Sequence, residues 1–146
     1  MTKSQIIKAN EGRKLNVIGD HQTIKLTGKD TNGLFTLIEQ NNPPGTQLPK
    51  HMHEREDEVF QLLEGEVEFT VGDTRSVLKA GDTIFLPRMI PHSFKVLGNQ
   101  NARVILSIFP AGIEGMFELL SQLPDDGPPD FEKVVRICGD YGVKLM

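Results

Sequence analysis

Short runs of alternating or continuous apolar residues, separated by breaks rich in glycine and proline, fill most of the chain. The sequence contains 14 glycines and 9 prolines. Alternation with a period of two is typical of a strand with one buried face. The pattern predicts strands over residues 23–26, 34–39, 58–63, 67–71, 75–78, 83–86, 93–97 and 103–109. The Gly72-Asp73 pair and the Asn-Asn-Pro-Pro-Gly segment at 41–45 predict turns.

The pattern changes after Pro110, where apolar residues recur at helical spacing. This spacing predicts one helix over residues 113–123 and a second over 131–138, with Asp130 as the N-terminal cap of the second. Cys138 lies on the apolar stripe of that helix and is expected to be a small buried side chain. The chain is therefore predicted to be a β-barrel or sandwich followed by two short helices. We expect the helices to pack on the barrel; the alternative is that they cover one of its mouths.

Composition limits the classes of partner and compartment. A chain of 146 residues suits one compact domain, and 38% hydrophobic with 25% charged residues is ordinary for a soluble globular protein. The net charge of −4 argues against nucleic-acid binding, because no excess of Lys and Arg is present to neutralise phosphates. No segment has the apolar length of a signal peptide or membrane span, and a single cysteine excludes an internal disulfide framework. We expect a cytoplasmic protein with no nucleic-acid or membrane partner.

Three of the four histidines fall in two short segments, at His51, His53 and His92. Side chains two residues apart on a strand point to the same side, so His51 and His53 would present two imidazoles together. Alone, such a pair is more often an ordinary polar surface feature. Glu58 is one residue off the parity of the pair, so the polar stretch between them must bend to bring its carboxylate to the same side. These four residues are candidate metal ligands.

Glycines, a proline and the candidate ligands form two spaced motifs. The first motif consists of Gly45, five residues, His51-x-His53, four residues, Glu58, six residues and Gly65. The second motif consists of Gly81, five residues, Pro87 and then His92. In this arrangement the chain resembles the cupin superfamily. It departs from the usual second motif at Arg88 and Met89, where cupins have Pro-x-Gly, and at Val96, where an asparagine is usual. These departures affect turn geometry more than the identity of the ligands.

The resemblance implies an all-β fold, a small double-stranded β-helix (the cupin jelly-roll barrel) with two short C-terminal helices. Residues 1–110 would form the cupin domain with its metal site, and residues 111–146 a helical extension packed on the barrel. The ion would be one divalent transition metal, Fe, Mn, Ni, Co, Cu or Zn, because imidazoles suit these ions better than Ca or Mg. By family analogy the protein is expected to be a homodimer. The residues implied to hold the ion are His51, His53, Glu58 and His92.

The single barrel and helical tail look similar to small bacterial cupins related to quercetin dioxygenases. That likeness implies a metal-dependent dioxygenase acting on a small enolisable or aromatic substrate together with O₂. Glu58 would be the catalytic base, because each ligand imidazole already uses a nitrogen lone pair on the ion. Two alternatives remain open: an isomerase or lyase that uses the ion only as a Lewis acid, and a small-molecule-binding protein without turnover.

Three residues are candidate walls of a substrate pocket. Phe60 shares strand parity with Glu58, and Phe94 shares it with His92. Arg88 follows the second-motif proline and could reach the barrel mouth to meet an anionic substrate. The simpler interpretation places both phenylalanines in the core and leaves Arg88 as a solvated loop residue.

Overall fold

A computed structural model describes residues 2–146 of the chain. Within that range the chain forms 11 strands and 3 short helices. The strands are β1 (Arg13–Val17), β2 (Asp20–Leu26), β3 (Thr36–Asn42), β4 (Gln47–His53), β5 (Asp57–Glu64), β6 (Glu66–Val71), β7 (Thr74–Lys79), β8 (Thr83–Leu86), β9 (His92–Leu97), β10 (Ala102–Phe109) and β11 (Val143–Leu145). The helices are α1 (Gly28–Thr31), α2 (Glu114–Ser121) and α3 (Phe131–Asp140).

The strands form two antiparallel sheets. One sheet has six strands in the order β1-β2-β3-β10-β5-β8, and the other has five in the order β11-β4-β9-β6-β7. Strands that are neighbours in a sheet are mostly distant in sequence. Consecutive strands often belong to different sheets instead, and the β4–β5 and β9–β10 connections pass from one sheet to the other. The predicted all-β class is confirmed, and the strands predicted from alternation are all present.

Alternation along the central strands creates the core. Ile38 on β3, Leu106 on β10 and Phe60 on β5 lie side by side in one row and are each at most 4% exposed. Full burial of a side chain of this size stabilises the fold by roughly 1.5–3 kcal/mol. Phe60 also packs edge-on against Phe69 of the opposite sheet, with ring centroids 5.2 Å apart. The same parity that builds this row places the residues of the neighbouring rows inside the barrel.

The C-terminal segment is part of the barrel as well as packed on it. Both predicted helices are present, and the Asp130 side chain accepts a hydrogen bond from the Lys133 N–H, as expected of a cap. Beyond α3, the unpredicted strand β11 pairs with β4 and completes one edge of the five-stranded sheet. The division of the chain at residues 110 and 111 stays a prediction.

Glu114, at the start of α2, anchors the helix to the barrel. Its carboxylate accepts hydrogen bonds from the Gly28 N–H at 2.7 Å, the Thr36 hydroxyl at 2.7 Å and the Gly112 N–H at 2.6 Å. Burial raises the pKa of Glu114, but these donors outweigh it and hold the pKa below its ordinary value.

No helix within residues 2–146 is both long enough and apolar enough to cross a membrane.

Candidate metal centre

The four predicted ligands come from three strands that meet inside the barrel. His51 and His53 are both buried at the end of β4, because they share strand parity. His92 opens β9 and lies directly opposite His51 in the β4–β9 pairing. A bend at residues 54–55 separates β4 from β5, and it brings the Glu58 carboxylate inward despite its odd spacing. The predicted bend is therefore confirmed.

The ligand atoms of these residues converge. One donor atom of each lies within 4.8 Å of the others. Glu58 Oε1 is 3.2 Å from His53 Nε2 and 3.2 Å from His92 Nε2. The rings of His51 and His92 meet edge to face, with centroids 4.4 Å apart. Spacings of this size suit a single ion bound at about 2.0–2.2 Å from each nitrogen and oxygen.

The imidazoles of His51 and His92 are oriented by a hydrogen bond at their other nitrogen, and that of His53 has a carboxylate nearby. His51 Nδ1 is 2.9 Å from the Pro49 carbonyl, and His92 Nδ1 is 3.2 Å from the Ile90 carbonyl. His53 Nδ1 faces the Glu56 carboxylate at 3.4 Å. A histidine that donates its Nδ1–H to an oxygen keeps the Nε2 lone pair for a metal ion.

The pKa values reflect burial and the proximity of the four groups. Burial, reinforced by His92 and His53, lowers the pKa of His51 to about 4. Burial also acts to lower the pKa of His53, but the nearby Glu58 and Glu56 carboxylates outweigh it and raise the pKa. Burial acts to raise the pKa of Glu58, and the imidazoles of His53 and His92 outweigh it, so the pKa is lowered. A neutral His51 and an ionised Glu58 are the forms that bind cations.

Unpaired polar atoms show that the residues fit a metal ion. Glu58 Oε1 and His92 Nε2 are both buried, and neither has a hydrogen-bond partner among residues 2–146. Leaving a buried polar group without a partner costs about 1–3 kcal/mol. A divalent cation among the four side chains would give both atoms a partner. Three nitrogen donors and one carboxylate suit Fe, Mn, Ni, Co, Cu and Zn alike.

A cavity of about 200 Å³ adjoins the four ligands. Phe60 and Phe94, the two predicted pocket walls, both line it. Helices α2 and α3 supply much of the remaining apolar wall, so the helices close the space beside the metal centre as well as packing on the barrel. The helical lining residues are Met116, Phe117, Leu120, Phe131, Val134 and Cys138.

Arg88 lies in an exposed turn, which agrees with the simpler interpretation of the sequence and not with a place in the pocket wall. Its guanidinium contacts the Asp57 carboxylate through two nitrogens at 3.1 Å, and its backbone N–H donates to the same group at 2.8 Å. The side chain is 45% exposed, and Arg88 is not among the described residues that line the cavity. Asp57 therefore holds the guanidinium at the surface, and Arg88 does not form part of the cavity wall.

Two sets of residues near the cavity escaped the sequence analysis. Glu56 belongs to the polar stretch before Glu58 that predicts a bend, yet it is only 5% exposed and contacts His53. Asp20, which lines the cavity, is buried and accepts hydrogen bonds from three amide side chains. Those amides are Gln22 at 3.0 Å, Gln40 at 2.9 Å and Asn42 at 2.8 Å.

The buried amides carried a signal in the sequence. Gln22 shares strand parity with buried Ile24, and Gln40 and Asn42 share it with buried Ile38. Polar residues at inward positions of two strands are unusual enough to suggest a polar site. No comparable pattern marks Glu56, because its burial depends on the bend after β4.

Known proteins share the fold of this chain, and a known family matches the segment that contains both motifs. The model of the family described as "Cupin domain" matches residues 39–109, which include all four ligands. Quercetin 2,3-dioxygenase of Bacillus subtilis is 25% identical over 115 residues; the match covers 79% of this chain and 34% of that enzyme. The chain therefore spans about a third of the length of this relative.

Solved structures agree with the fold. KdgF from Halomonas sp. superposes with a TM-score of 0.68 at 18% identity, covering 77% of this chain and 99% of that one. A predicted oxalate decarboxylase from Thermotoga maritima gives a TM-score of 0.65 at 24% identity, covering 73% and 99%. The predicted double-stranded β-helix is confirmed. Together with the two sheets and the His/His/Glu/His cluster, the matching family model shows that residues 39–109 of this chain form a cupin domain.

Proposed function

We propose that this cupin is a metal-dependent dioxygenase acting on a small enolisable or aromatic compound. The observation that carries the proposal is a cluster of four buried ligands opening on an apolar cavity. The likeness to a quercetin dioxygenase supports the reaction class. The cavity of about 200 Å³ compares with roughly 150 Å³ for an apolar cavity that accepts benzene, so it favours compounds of one or two rings.

The protein side chains have separate roles in this proposal. His51, His53, Glu58 and His92 would hold the ion, and the aromatic rings of Phe60 and Phe94 would pack against the substrate. When bound, a redox-active divalent ion would supply Lewis acidity towards an enol oxygen and the capacity to react with O₂. Glu58 is the only carboxylate in the cluster, and it would accept the proton of the substrate hydroxyl. The apolar cavity would keep bulk water away from the deprotonated substrate.

Oxygen consumption tests the reaction class. Protein loaded separately with Fe(II), Mn(II), Ni(II), Co(II), Cu(II) or Zn(II) is mixed with the two-ring enol 3-hydroxychromone, and dissolved O₂ is followed with an electrode. We expect substrate-dependent uptake with at least one redox-active ion and none with Zn(II). Absence of uptake with every ion, in protein shown to contain metal, contradicts the dioxygenase.

The role of Glu58 is tested by the Glu58→Gln variant, which keeps an oxygen donor but removes the base. General-base catalysis contributes roughly 10²–10⁴-fold, so we expect oxygen uptake to fall at least about 100-fold while elemental analysis still finds metal. Lys95→Ala is the matched control, since Lys95 is exposed on the same strand as His92. Uptake unchanged in Glu58→Gln would contradict the base role.

The Lewis-acid alternative makes a distinct prediction. Consumption of the same compounds under strict anaerobiosis, or with Zn(II) in place of a redox-active metal, would replace the dioxygenase by an isomerase or lyase. A compound that co-purifies and is released unchanged, without turnover under either condition, would replace both by a binding protein.

The proposal also includes a homodimer. Val77 on β7 and Phe85 on β8 are 47% and 60% exposed, and each strand is the edge of its sheet. Exposed apolar residues on edge strands often lie against a partner strand. Light scattering during size-exclusion chromatography should give the mass of two chains, and the mass of one chain would contradict the dimer.

A further inference from the structure

The cavity beside the metal ligands also has a polar region remote from them. Asp20, Gln22 and Gln40 all line it, and apolar Leu106 and Phe60, from the cross-strand row between Gln40 and Glu58, line it as well. Gln22 lies directly opposite Gln40 in the β2–β3 pairing. Glu58 lies in the same cross-strand row as Thr36, and Thr36 is four residues before Gln40 on β3. Four residues of a strand extend about 13 Å, so the two polar regions lie at different heights in the barrel.

Asp20 determines how the Gln22 amide is oriented. The Gln22 Nε2 donates to Asp20 Oδ2 at 3.0 Å. Rotating the amide by half a turn would place its oxygen against the carboxylate, and two acceptors at that distance repel. The carboxylate also accepts from Gln40 and Asn42, so the neighbouring strand β3 holds Asp20 itself in place. The Gln22 nitrogen is thereby committed to Asp20, and its oxygen is left for another partner.

The Gln22 oxygen has no such partner. Gln22 is only 3% exposed, and among residues 2–146 no group donates a hydrogen bond to Oε1. Gln22 lines the cavity, and buried amide oxygens are normally paired, so its unpaired oxygen points to a missing donor. Three amide groups already donate hydrogen bonds to the Asp20 carboxylate, so its charge does not call for a cation at this place. The uncharged oxygen of the Gln22 amide therefore suits an uncharged donor such as a hydroxyl group.

We propose that Gln22, positioned by Asp20, is a recognition site for a hydroxyl group of the cavity ligand. The hydroxyl would donate to Gln22 Oε1, with the apolar body of the ligand packed between this site and the metal ligands. The assignment of this ligand as the substrate rests on the proposed function. The substrate would then be a small ring compound with an enol oxygen at one end and a hydroxyl at the other.

Phenol and toluene form a matched probe pair, since they differ mainly in one hydroxyl donor and are small enough for the cavity. Their affinities for the full chain are measured by NMR titration, with the Zn(II)-loaded protein and again after chelation of metal. We expect Gln22→Met to weaken phenol relative to toluene by about tenfold, the effect of one hydrogen bond. The shift should be the same in the metal-free protein, because Gln22 rather than the ion receives the hydroxyl.

The matched control is Gln61→Met, which makes the same chemical change at an exposed position of β5 and should leave the phenol-to-toluene ratio unchanged. An unchanged ratio in Gln22→Met overturns the proposal. So does a shift that vanishes when metal is removed, since the hydroxyl would then be bound by the ion. Absence of binding of both probes to the wild-type protein also overturns it. None of these outcomes bears on oxygen uptake, so the proposed function stands or falls separately.

Two further measurements guard against a variant that fails to fold. In the wild-type protein, phenol should give nuclear Overhauser contacts to the side-chain amide protons of Gln22, and their absence in the saturated complex contradicts the site. In Asp20→Asn the amide of Gln22 loses the carboxylate that orients it. We expect the phenol-to-toluene ratio to fall by several-fold while toluene affinity is retained. Loss of affinity for both probes alike would assign Asp20 a purely structural role and contradict its positioning role.

Discussion

Glu56 Oε1 lies 3.4 Å from the Nδ1 atom of His53, and both side chains are buried. Glu56 is two residues from Glu58, but the two carboxylates face different sides of the same imidazole. Glu58 approaches Nε2, where a metal ion would bind, and Glu56 approaches Nδ1 on the opposite side of the ring. Glu56 is therefore placed to fix the tautomer and orientation of His53 without being a ligand itself.

Replacing Glu56 should weaken metal binding. Loss of an outer carboxylate that orients a ligand histidine typically lowers metal affinity by about 10–100-fold, and we expect Glu56→Ala to fall in this range. Glu56→Gln keeps an acceptor and should lose less. Competition with a chromogenic chelator measures the affinity. Glu54→Ala is the control, because Glu54 is exposed and its carboxylate faces Lys144. Equal affinities for Glu56→Ala and Glu54→Ala would contradict the role of Glu56.

Removal of metal should lower thermal stability. An ion present at 1,000 times its dissociation constant stabilises the folded state by about 4 kcal/mol, equivalent to roughly 10 °C in Tm for a chain of this size. We expect chelation to lower Tm by about that amount and added metal to restore it. Thermal unfolding followed by circular dichroism measures both changes. In His92→Ala, added metal should raise Tm far less; a full rise there would show that the ion binds elsewhere.

The two motif glycines Gly65 and Gly81 should differ sharply in their tolerance of alanine. Both have positive φ, +89° and +97°, a conformation that costs a non-glycine residue about 1–2 kcal/mol. A Cβ on Gly65 would lie 2.8 Å from backbone atoms of Asn101 and Ala102, whereas one on Gly81 would meet nothing within 4 Å. We expect Gly65→Ala to lower the free energy of unfolding by about 1–3 kcal/mol more than Gly81→Ala. Urea denaturation measures the difference, and equal losses would contradict the close contact.

The sequence predicted eight of the eleven strands, and the cluster of four candidate ligands, because both depend on local spacing. Strand parity alone puts His51 and His53 on one face, and the polar stretch before Glu58 required a bend that the structure contains. Parity and the motif also indicated Phe60 and Phe94 as cavity residues.

Features that depend on distant contacts were not predictable in the same way. Strand β11 has only three residues and exists because β4 offers it an edge. Arg88 is held outside by Asp57, a partner thirty-one residues away that spacing does not reveal. The buried carboxylate of Asp20 is paired with amide side chains on two strands, Gln22 of β2 and Gln40 and Asn42 of β3. Periodicity locates such residues on a face, but it does not identify the partners that decide their roles.

The attachment of α2 to the barrel should depend on pH through Glu114. Its pKa in the folded protein is lowered from 4.5, because the three hydrogen-bond donors favour the ionised form over the effect of burial. The stabilisation is therefore fully present above about pH 4.5 and is lost as pH falls through the lower pKa of the folded state. Glu114→Gln removes the charge, so this variant should be less stable than wild type at neutral pH by about 1–2 kcal/mol.

The difference between wild type and Glu114→Gln should narrow as the solution is acidified below the ordinary pKa of 4.5. Urea unfolding of both proteins at neutral pH and at several acidic values measures this difference, and comparing the two proteins cancels the titration of the metal ligands. Glu132→Gln is the control, because Glu132 is exposed in the first turn of α3. It should change stability little at any pH. A difference for Glu114→Gln that stays constant on acidification would show that the carboxylate charge does not hold α2 against the barrel.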